Sequence, residues 1–344
     1  MLSDKEISEI REHLDKAQNP VFLYDNDADG LCSYLLLRRY LGRGKGVVVK
    51  SYPGINETYA KKVKELNADY VFILDKPVAS KEFIEEMREI NMPIIWIDHH
   101  DVEYPLGVAV YNPLFSEEKS NEPVCYLCYE IIGRKEEELW LAVVGCIADG
   151  FFPELAVKFG KKNLELWGNV ETAFDVLYKT EIGRVARILN FALRDTTTNI
   201  VRMLKFLIDV KTPAEILDEN EKNKFMYKRF NQINNKYQKI LDKAEKIMGN
   251  PLIFKYSGEL SLSADLSNEL QYNNPGRIII VAYTKGGKTN ISIRGENARK
   301  FTLKAIEGLE NATGGGHDVA CGASIKSDDL DKFLENFKSA RGEY

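Results

Sequence analysis

Aspartates and histidines are concentrated where three predicted buried strands end, in the first half of the chain. In an open parallel sheet the carboxyl ends of the strands line the crevice where ligands bind, so these side chains should converge. Carboxylates placed together repel one another, and some take up protons, unless cations lie among them. Oxygen ligands combined with one or two imidazoles suit Mn²⁺ or Mg²⁺, and the absence of a thiolate counts against structural Zn²⁺. The candidate residues are Asp25, Asp27 and Asp29 after the first strand, Asp75 after the third, Asp98, His99 and His100 after the fourth, and Asp149 after a predicted helix.

A single aspartate of this set has a simpler explanation than metal binding. Asp29-Gly30, ahead of the helical pattern that starts at Leu31, is typical of a helix cap. The convergence of the whole set nevertheless favours a metal centre.

The elements that must position these residues alternate between strands and helices. Strands are predicted at 20–24, 46–49, 70–74 and 93–97, with helices near 31–42, 57–67 and 79–90 and a further helix over 139–147. Such alternation is typical of βαβ units, in which a parallel sheet is covered by helices on both faces. We therefore expect an α/β fold whose N-terminal domain is a doubly wound parallel sheet.

Long helical patterns replace the strands from about 151 to 250, and one of them is strongly basic. Apolar residues spaced alternately by four and three predict a single buried seam on a long helix. Its other faces carry many lysines, which form either an ordinary solvated face or a basic wall for a phosphate backbone. The seam comprises Met226, Phe230, Ile233, Tyr237, Ile240, Ala244 and Ile247, and the basic residues are Lys222, Lys224, Lys228, Arg229, Lys236, Lys239, Lys243 and Lys246.

Strand patterns return after Asn250-Pro251 and predict a second, smaller α/β domain. Its strands are expected at 252–254, 277–283 and 289–294, and its helices near 263–272, 299–309 and 328–340. We accordingly divide the chain into a catalytic domain at 1–200, a helical linker with a basic face at 201–250, and a substrate-binding domain at 251–344.

In order and spacing, four N-terminal segments resemble the motifs of the DHH phosphoesterase superfamily. They are Asp25-Asn-Asp-Ala-Asp-Gly30, Asp75, Asp98-His-His100 and Ala148-Asp-Gly150. The C-terminal Gly314-Gly-Gly-His-Asp-Val-Ala-Cys-Gly322 resembles the signature of the DHH-associated domain of the nuclease branch. The resemblance covers most of the chain, and the first motif is similar to that of RecJ-type single-strand exonucleases, particularly the compact archaeal ones.

The resemblance implies two divalent cations, Mn²⁺ ahead of Mg²⁺, and a role for each ligand. Asp27 would hold the first cation, Asp75 would bridge the two, and Asp29, His99 and Asp149 would hold the second. Many relatives carry a histidine four residues before the equivalent of Asp27, where this sequence has Leu23. Asp25 or additional water would then complete the first site.

Two residues of the third motif have expected roles outside the ligand set. His100 points at the same crevice, so we assign it to the scissile phosphate or the leaving oxygen, where a charged donor acts most strongly in the transition state. Asp98 is expected to orient a histidine or to stabilise the loop.

The C-terminal signature indicates a site for the end of the substrate. We expect Gly314–His317 to form a loop in which backbone N–H groups of Gly314, Gly315 and Gly316 approach an anion closely, and Arg294 would supply a bidentate phosphate contact. Three glycines alone are more often a flexible turn. Followed by His317 and the Ala-Cys-Gly pattern, they indicate the substrate-terminus site of the family.

Composition restricts the class of protein less than the motifs do. The 344 residues carry a net charge of −5, which is not typical of a nucleic-acid binder, but a metal-dependent nuclease needs carboxylates for its cations. Five scattered cysteines, a polar start and no apolar run near about 18 residues predict a cytoplasmic protein without a membrane partner.

These observations favour an exonuclease that releases nucleoside monophosphates from single-stranded DNA or RNA. An alternative from the same superfamily is a nanoRNase or cyclic-dinucleotide phosphodiesterase that acts on very short oligonucleotides, and the basic helix favours the longer strand. The third hypothesis is a replisome-associated scaffold of the same fold, which the retained metal ligands disfavour without excluding replication or repair proteins as partners.

Overall fold

The computed structural model describes residues 1–51 and 54–342 of the chain. The chain divides into two compact units, Met1–Asn231 and Gln232–Tyr344. The domain boundaries expected near 200 and 250 stay predictions.

The first unit is built on a parallel sheet that has five strands within the described residues. Its strands are β1 Pro20–Asp25, β2 Lys45–Val49, β3 Tyr70–Leu74, β4 Ile94–Ile97 and β5 Ala109–Tyr111, in the spatial order β2-β1-β3-β4-β5. The expected doubly wound sheet is therefore confirmed. The short edge strand β5 was not predicted from the sequence, because three residues are too few to show a clear periodicity.

Helices cover both faces of this sheet. The helices of this unit are α1 Asp4–Lys16, α2 Ala28–Leu41, α3 Glu57–Glu65, α4 Lys81–Glu89, α5 Val124–Ile131, α6 Leu139–Ala148, α7 Glu154–Lys162, α8 Leu164–Trp167, α9 Ala173–Lys179, α10 Glu181–Ala192, α11 Thr197–Asp209 and α12 Ala214–Leu217. On one face α3 and α4 pack against Val21, Leu23, Val71 and Trp96 in an apolar cluster. On the other face α2 contacts β1 and β3 and packs in turn against α5 and α6.

Helix α6 is buried on every side, as its uniformly apolar sequence requires. All residues from Leu139 to Ile147 are buried, and Asp149 caps the carboxyl end of the helix. A helix fixed in the core by so many contacts gives Asp149 a rigid support.

The long basic helix is α13, Lys224–Ala244, and it contains the boundary between the two units. The predicted seam is right at five positions and wrong at Ile240 and Ile247, which are only half-buried. Leu241 is buried instead of Ile240, because a residue four positions after Tyr237 continues the same face of the helix. Ile247 lies beyond the end of the helix. The correctly predicted seam residues are Met226, Phe230, Ile233, Tyr237 and Ala244.

The second unit contains a mixed sheet, which over residues 232–342 has the order β6-β7-β8-β10-β9. Strands β6 and β7 are parallel, and the other neighbours are antiparallel. Helices α15 and α16 contribute to an apolar cluster that includes Ile291, Ile293 and Cys321, and α14 contacts β7 and β8. The elements are β6 Leu252–Ser257, α14 Ser263–Asn273, β7 Ile279–Lys285, β8 Lys288–Arg294, α15 Ala298–Ile306, β9 Thr313–His317, β10 Ala320–Lys326 and α16 Leu330–Ala340.

The segment Gly314–His317 is a strand, which corrects the expectation of a loop. It belongs to β9, the edge strand, and pairs in antiparallel register with β10. Glycines have little strand propensity of their own, so the pairing with β10 and not the local sequence makes this segment a strand. Among the described residues, every helix is too short or too polar to cross a membrane.

Candidate active site

The acidic segments of the first unit begin where the backbone is still held by the sheet. The N–H of Asp75 donates to the carbonyl of Ile97 at 3.1 Å, and the N–H of Asp98 donates to the carbonyl of Tyr111 at 3.1 Å. Asp75 has a left-handed backbone with φ of 58°, a conformation in which aspartate is better tolerated than most residues. The sheet thus positions the first residue of each segment.

Three side chains converge at this edge of the sheet closely enough to share one cation. Ligand atoms of Asp75, His99 and His100 all lie within 4.8 Å of one another. Oδ1 of Asp75 is 3.4 Å from Nε2 of His99, and both residues are buried. The expected convergence of the β3 and β4 ends is therefore observed.

The remaining carboxylates are close enough to act on one another electrostatically. Burial, followed by the charges of Asp29, Asp27, Asp25 and Asp149, raises the pKa of Asp75 well above its ordinary value. Burial and the charges of Asp25 and Asp29 raise the pKa of Asp27 to about 7.

Asp149 belongs to the same electrostatic group although its side chain borders solvent. The protein atoms around it, and then the charges of Asp29 and Asp27, raise its pKa well above the ordinary value. So many carboxyl groups with raised pKa values indicate negative charge that protein cations only partly neutralise.

Asp27 and Asp29 also have structural roles at helix starts. Oδ1 of Asp27 accepts from the N–H of Gly30 at 2.9 Å, and it is Asp27 that caps α2. Asp29 accepts from the N–H groups of Val124 at 2.9 Å and Cys125 at 2.7 Å, at the start of α5. The cap of the helix predicted at 31–42 is therefore Asp27 and not Asp29, because α2 begins at Ala28. Since a carboxylate oxygen accepts at more than one lone pair, capping leaves both residues able to hold a cation.

A hydrogen-bond network orients His100. Its Nδ1 lies 2.8 Å from Oδ1 of the fully buried Asp98, whose Oδ2 accepts from the Tyr104 hydroxyl at 2.7 Å. Asn112 donates to the Tyr104 hydroxyl and to the His100 carbonyl, each at 2.9 Å.

Burial alone would raise the pKa of Asp98, but the bonds from His100 and Tyr104 keep it below the ordinary value. Conversely, burial lowers the pKa of His100, and Asp98 outweighs this and raises it.

Lys76 is a site residue that the sequence analysis missed. It is buried, and its Nζ donates to Oδ1 of Asp25 at 2.7 Å. The indole N–H of Trp96 donates to the Lys76 carbonyl at 2.8 Å. Its position next to Asp75, two residues after the end of the buried strand β3, was the signal that could have identified it. Leu23, by contrast, is buried among apolar side chains and offers no ligand.

In the second unit, Arg294 and His317 lie in one row across the sheet. Both pair with Ala320, Arg294 from β8 and His317 from β9, so their side chains leave the same face. His317 is exposed. Nε of Arg294 donates to Oδ1 of Asn268 at 2.6 Å, and Nη1 donates to the Ile293 carbonyl at 2.9 Å, so this guanidinium is also a structural donor.

The three glycines of β9 differ in what surrounds them. A side chain at Gly316, where φ is 137°, would collide with the Ala320 carbonyl, whereas Gly315 has open space. Because β9 is an edge strand, part of its backbone N–H groups face away from β10 and can meet a ligand.

The basic face of α13 is solvent-exposed apart from one residue. Arg229 is half-buried and donates through Nε to the Arg194 carbonyl at 2.6 Å, so it contributes to packing. The exposed basic residues of the helix are Lys224, Lys228, Lys236, Lys239 and Lys243, and the predicted Lys222 and Lys246 are exposed but lie outside its ends.

The donor set of the first unit fits a hard divalent cation. Carboxylates with raised pKa values and imidazole nitrogens converge at one place, which is the ligand chemistry of Mn²⁺ and Mg²⁺ sites. Each of the five cysteines is a buried free thiol, outside this donor set.

Fold and motifs define a phosphoesterase of the DHH superfamily. The family model described as the DHH family, N-terminal domain, matches residues 21–150, and that of the DHHA1 domain matches residues 251–342. The chain therefore belongs to the DHH superfamily and carries a C-terminal DHHA1 domain. No curated protein matches the sequence.

Solved structures share this fold at low sequence identity. RecJ from Thermus thermophilus in complex with Mn²⁺ is 17% identical with a TM-score of 0.72, over 99% of this chain and 55% of that one. The DHH domain of a protein assigned to a family of ribosomal proteins is 12% identical with a TM-score of 0.71, over 97% and 89% of the two chains. Exonuclease RecJ bound to manganese is 17% identical with a TM-score of 0.60, over 100% and 96%. The chain thus spans about half the length of the Thermus RecJ.

Proposed function

We propose that the protein is a divalent-cation-dependent exonuclease that releases nucleoside monophosphates from an end of single-stranded DNA or RNA. The observation that carries the proposal is the convergence of Asp75, His99 and His100 within 4.8 Å, among further carboxylates, in a DHH-family domain. Mn²⁺ or Mg²⁺ would be held by Asp75 and His99 with Asp29 and Asp149, and Asp27 would contribute to a further cation position. Such cations, when bound, supply neutralisation of phosphate charge and acidification of water.

The chain's own groups have separable tasks in this reaction. Asp98 holds the Nδ1 proton of His100, which leaves Nε2 to face the substrate. Because the pKa of His100 is raised, its ring carries a positive charge over a wider pH range and donates a charge-assisted hydrogen bond from Nε2. That bond is directed to a phosphate oxygen or to the leaving oxygen, where negative charge increases in the transition state.

The proposed substrate contacts outside this centre come from two other surfaces. His317, Arg294 and the open N–H groups of β9 would bind the terminal nucleotide, and the exposed lysines of α13 would follow the phosphate backbone. The preference for a long strand over a dinucleotide rests on these lysines. The RecJ structures are further support for the choice of an exonuclease.

The test is product analysis with end-labelled single strands of DNA and RNA, from two to about thirty nucleotides, with Mn²⁺, with Mg²⁺ and with excess chelator. We expect stepwise release of mononucleotides from long strands with either cation and none in chelator. Asp75→Asn should abolish release, while Asp101→Asn, which changes an exposed acid beside the third motif, should keep it.

Other outcomes identify the other candidates. Cleavage restricted to dinucleotides would indicate a short-oligonucleotide phosphodiesterase. Strand binding without any cleavage, with Mn²⁺ bound, would contradict the enzyme proposal and favour a scaffold.

A further inference from the structure

A lysine is built into the acidic cluster beside the proposed metal ligands. Lys76 directly follows Asp75, and only 6% of its surface is exposed. Its Nζ lies 2.7 Å from Oδ1 of Asp25. A buried ammonium is unfavourable unless it is paired, so its position among carboxylates is a specific feature of this site.

The backbone of Lys76 is fixed by strand β4. The Trp96 indole N–H donates to the Lys76 carbonyl at 2.8 Å, and the preceding residue Asp75 is bonded to the Ile97 carbonyl at 3.1 Å. The ammonium therefore differs from that of a surface lysine, whose flexible stem leaves the charge without a defined position.

The 2.7 Å bond places the positive charge of Lys76 directly at Asp25. Asp25 and Asp27 are the two carboxylates expected at the first cation position. Oδ1 of Asp25 already accepts from the ammonium, so a divalent cation bound by Asp25 would lie beside a like charge.

We propose that the Lys76 ammonium takes the place of one of the two divalent cations implied by the DHH motifs, so that each chain binds a single divalent cation. This inference rests on the proposed function, because it concerns the same centre. Asp25, Asp27 and Lys76 form the fixed half of the centre, and Asp75, His99, Asp29 and Asp149 form the half that takes the cation. The ammonium would bind a phosphate oxygen, and a chelator could not remove it.

The test counts Mn²⁺ ions bound per chain, from the electron paramagnetic resonance signal of free Mn²⁺ during a titration. We expect one ion for the wild type and for Lys76→Arg, which keeps the charge. Lys76→Met removes the charge and opens the Asp25 and Asp27 position, so it should bind two ions. The matched control Lys81→Met alters an exposed lysine on α4 and should bind one.

Circular dichroism establishes that each variant is folded, and melting in chelator gives a readout independent of Mn²⁺ counting. Lys76→Met should melt at a lower temperature than the wild type in chelator, because Asp25 and Asp27 lose their cation, and Mn²⁺ should reverse the loss.

Any other number of bound Mn²⁺ ions would overturn the inference, and the outcomes can be told apart. Two ions bound by the wild type would refute the role of Lys76 while leaving the proposed enzyme intact. A folded Lys76→Met protein that binds only one ion would refute it too. No Mn²⁺ bound by the wild type would overturn the proposed function and this inference together. If Lys76→Met does not fold, the wild-type count decides alone.

Discussion

The imidazole of His100 is bonded through Nδ1 to the fully buried carboxylate of Asp98, at 2.8 Å. The folded protein keeps the Asp98 carboxylate ionised, and the His100 ring that is bonded to it faces the proposed substrate. The pKa of Asp98 is lowered and that of His100 is raised, so each partner favours the charged form of the other.

Asp98→Asn should therefore reduce the single-turnover rate and shift its pH dependence. Without the carboxylate the pKa of His100 falls, and the protonated ring is lost at a lower pH, so the alkaline limb of the profile should move to lower pH. Loss of such an orienting partner typically costs about 10–100-fold in activity or metal affinity. An unchanged profile would show that His100 does not act as a charged donor, and Asp101→Asn is the matched control.

Cation binding should stabilise the protein more at pH 8 than at pH 6. The pKa of Asp27 is raised from 3.8 to about 7 in the folded protein, so its contribution to stability is present below about pH 4 and is lost as pH rises through about 7. A cation bound by Asp75 and Asp149 offsets that loss through its charge, because both carboxylates interact electrostatically with Asp27. With Mn²⁺ at about 100 times its Kd, binding adds about 2.7 kcal/mol, or roughly 5–10 °C in Tm.

The measurement is thermal melting with Mn²⁺ and with chelator at both pH values. The gain in Tm should be larger at pH 8, and Asp75→Asn should remove most of it. Equal gains at both pH values would contradict the link between cation binding and the titration of Asp27.

The exposed lysines of α13 allow the substrate length to be tested. Changing Lys228, Lys236 and Lys239 together to Gln should weaken binding of long single strands and reduce the slope of log affinity against log salt by about 2, because each lost phosphate contact accounts for roughly 0.7. Dinucleotide cleavage should be nearly unchanged. Arg229 is left intact because it bonds to the Arg194 carbonyl.

A control triple change at Lys5, Lys61 and Lys81, all exposed, keeps the net charge of the two proteins equal. If the control weakens strand binding as much, the effect is one of total charge and α13 has no special role. If neither change has an effect, the face of α13 is only solvated.

Much of the fold could be predicted from the sequence, because buried strands and helices have regular patterns of apolar residues. The three strands of the N-terminal sheet that bear the site, β1, β3 and β4, contain apolar runs, and acidic residues stand at or directly after their carboxyl ends. Strands β9 and β10 gave no such signal. Their Gly-rich and small residues become strands through pairing across the sheet, which is information that local sequence does not carry.

Part of the site could also be predicted from the sequence. The convergence of Asp75, His99 and His100 follows from parallel strand ends, which sequence order can indicate. Tyr104 and Asn112 reach Asp98 and His100 through a returning loop, so their roles could not be derived from spacing. Asp29 also accepts hydrogen bonds at the start of α5. The sequence could not indicate this role, because the donor Val124 lies 95 residues later in the chain.

His317 and Arg294 should separate substrate binding from metal binding. His317 is exposed, so His317→Ala should leave Tm and Mn²⁺ affinity unchanged while it removes a charge-assisted contact to phosphate. Such a contact is worth about 1.5–3 kcal/mol, or roughly ten- to hundred-fold in kcat/KM. Arg294→Ala should show the same kinetic loss and a lower Tm, because Arg294 also donates to Asn268 and to the Ile293 carbonyl. Metal titration, melting and single-turnover rates on both variants test this division. A His317→Ala protein that no longer binds Mn²⁺ would place His317 in the metal centre and refute its assignment to the terminal nucleotide.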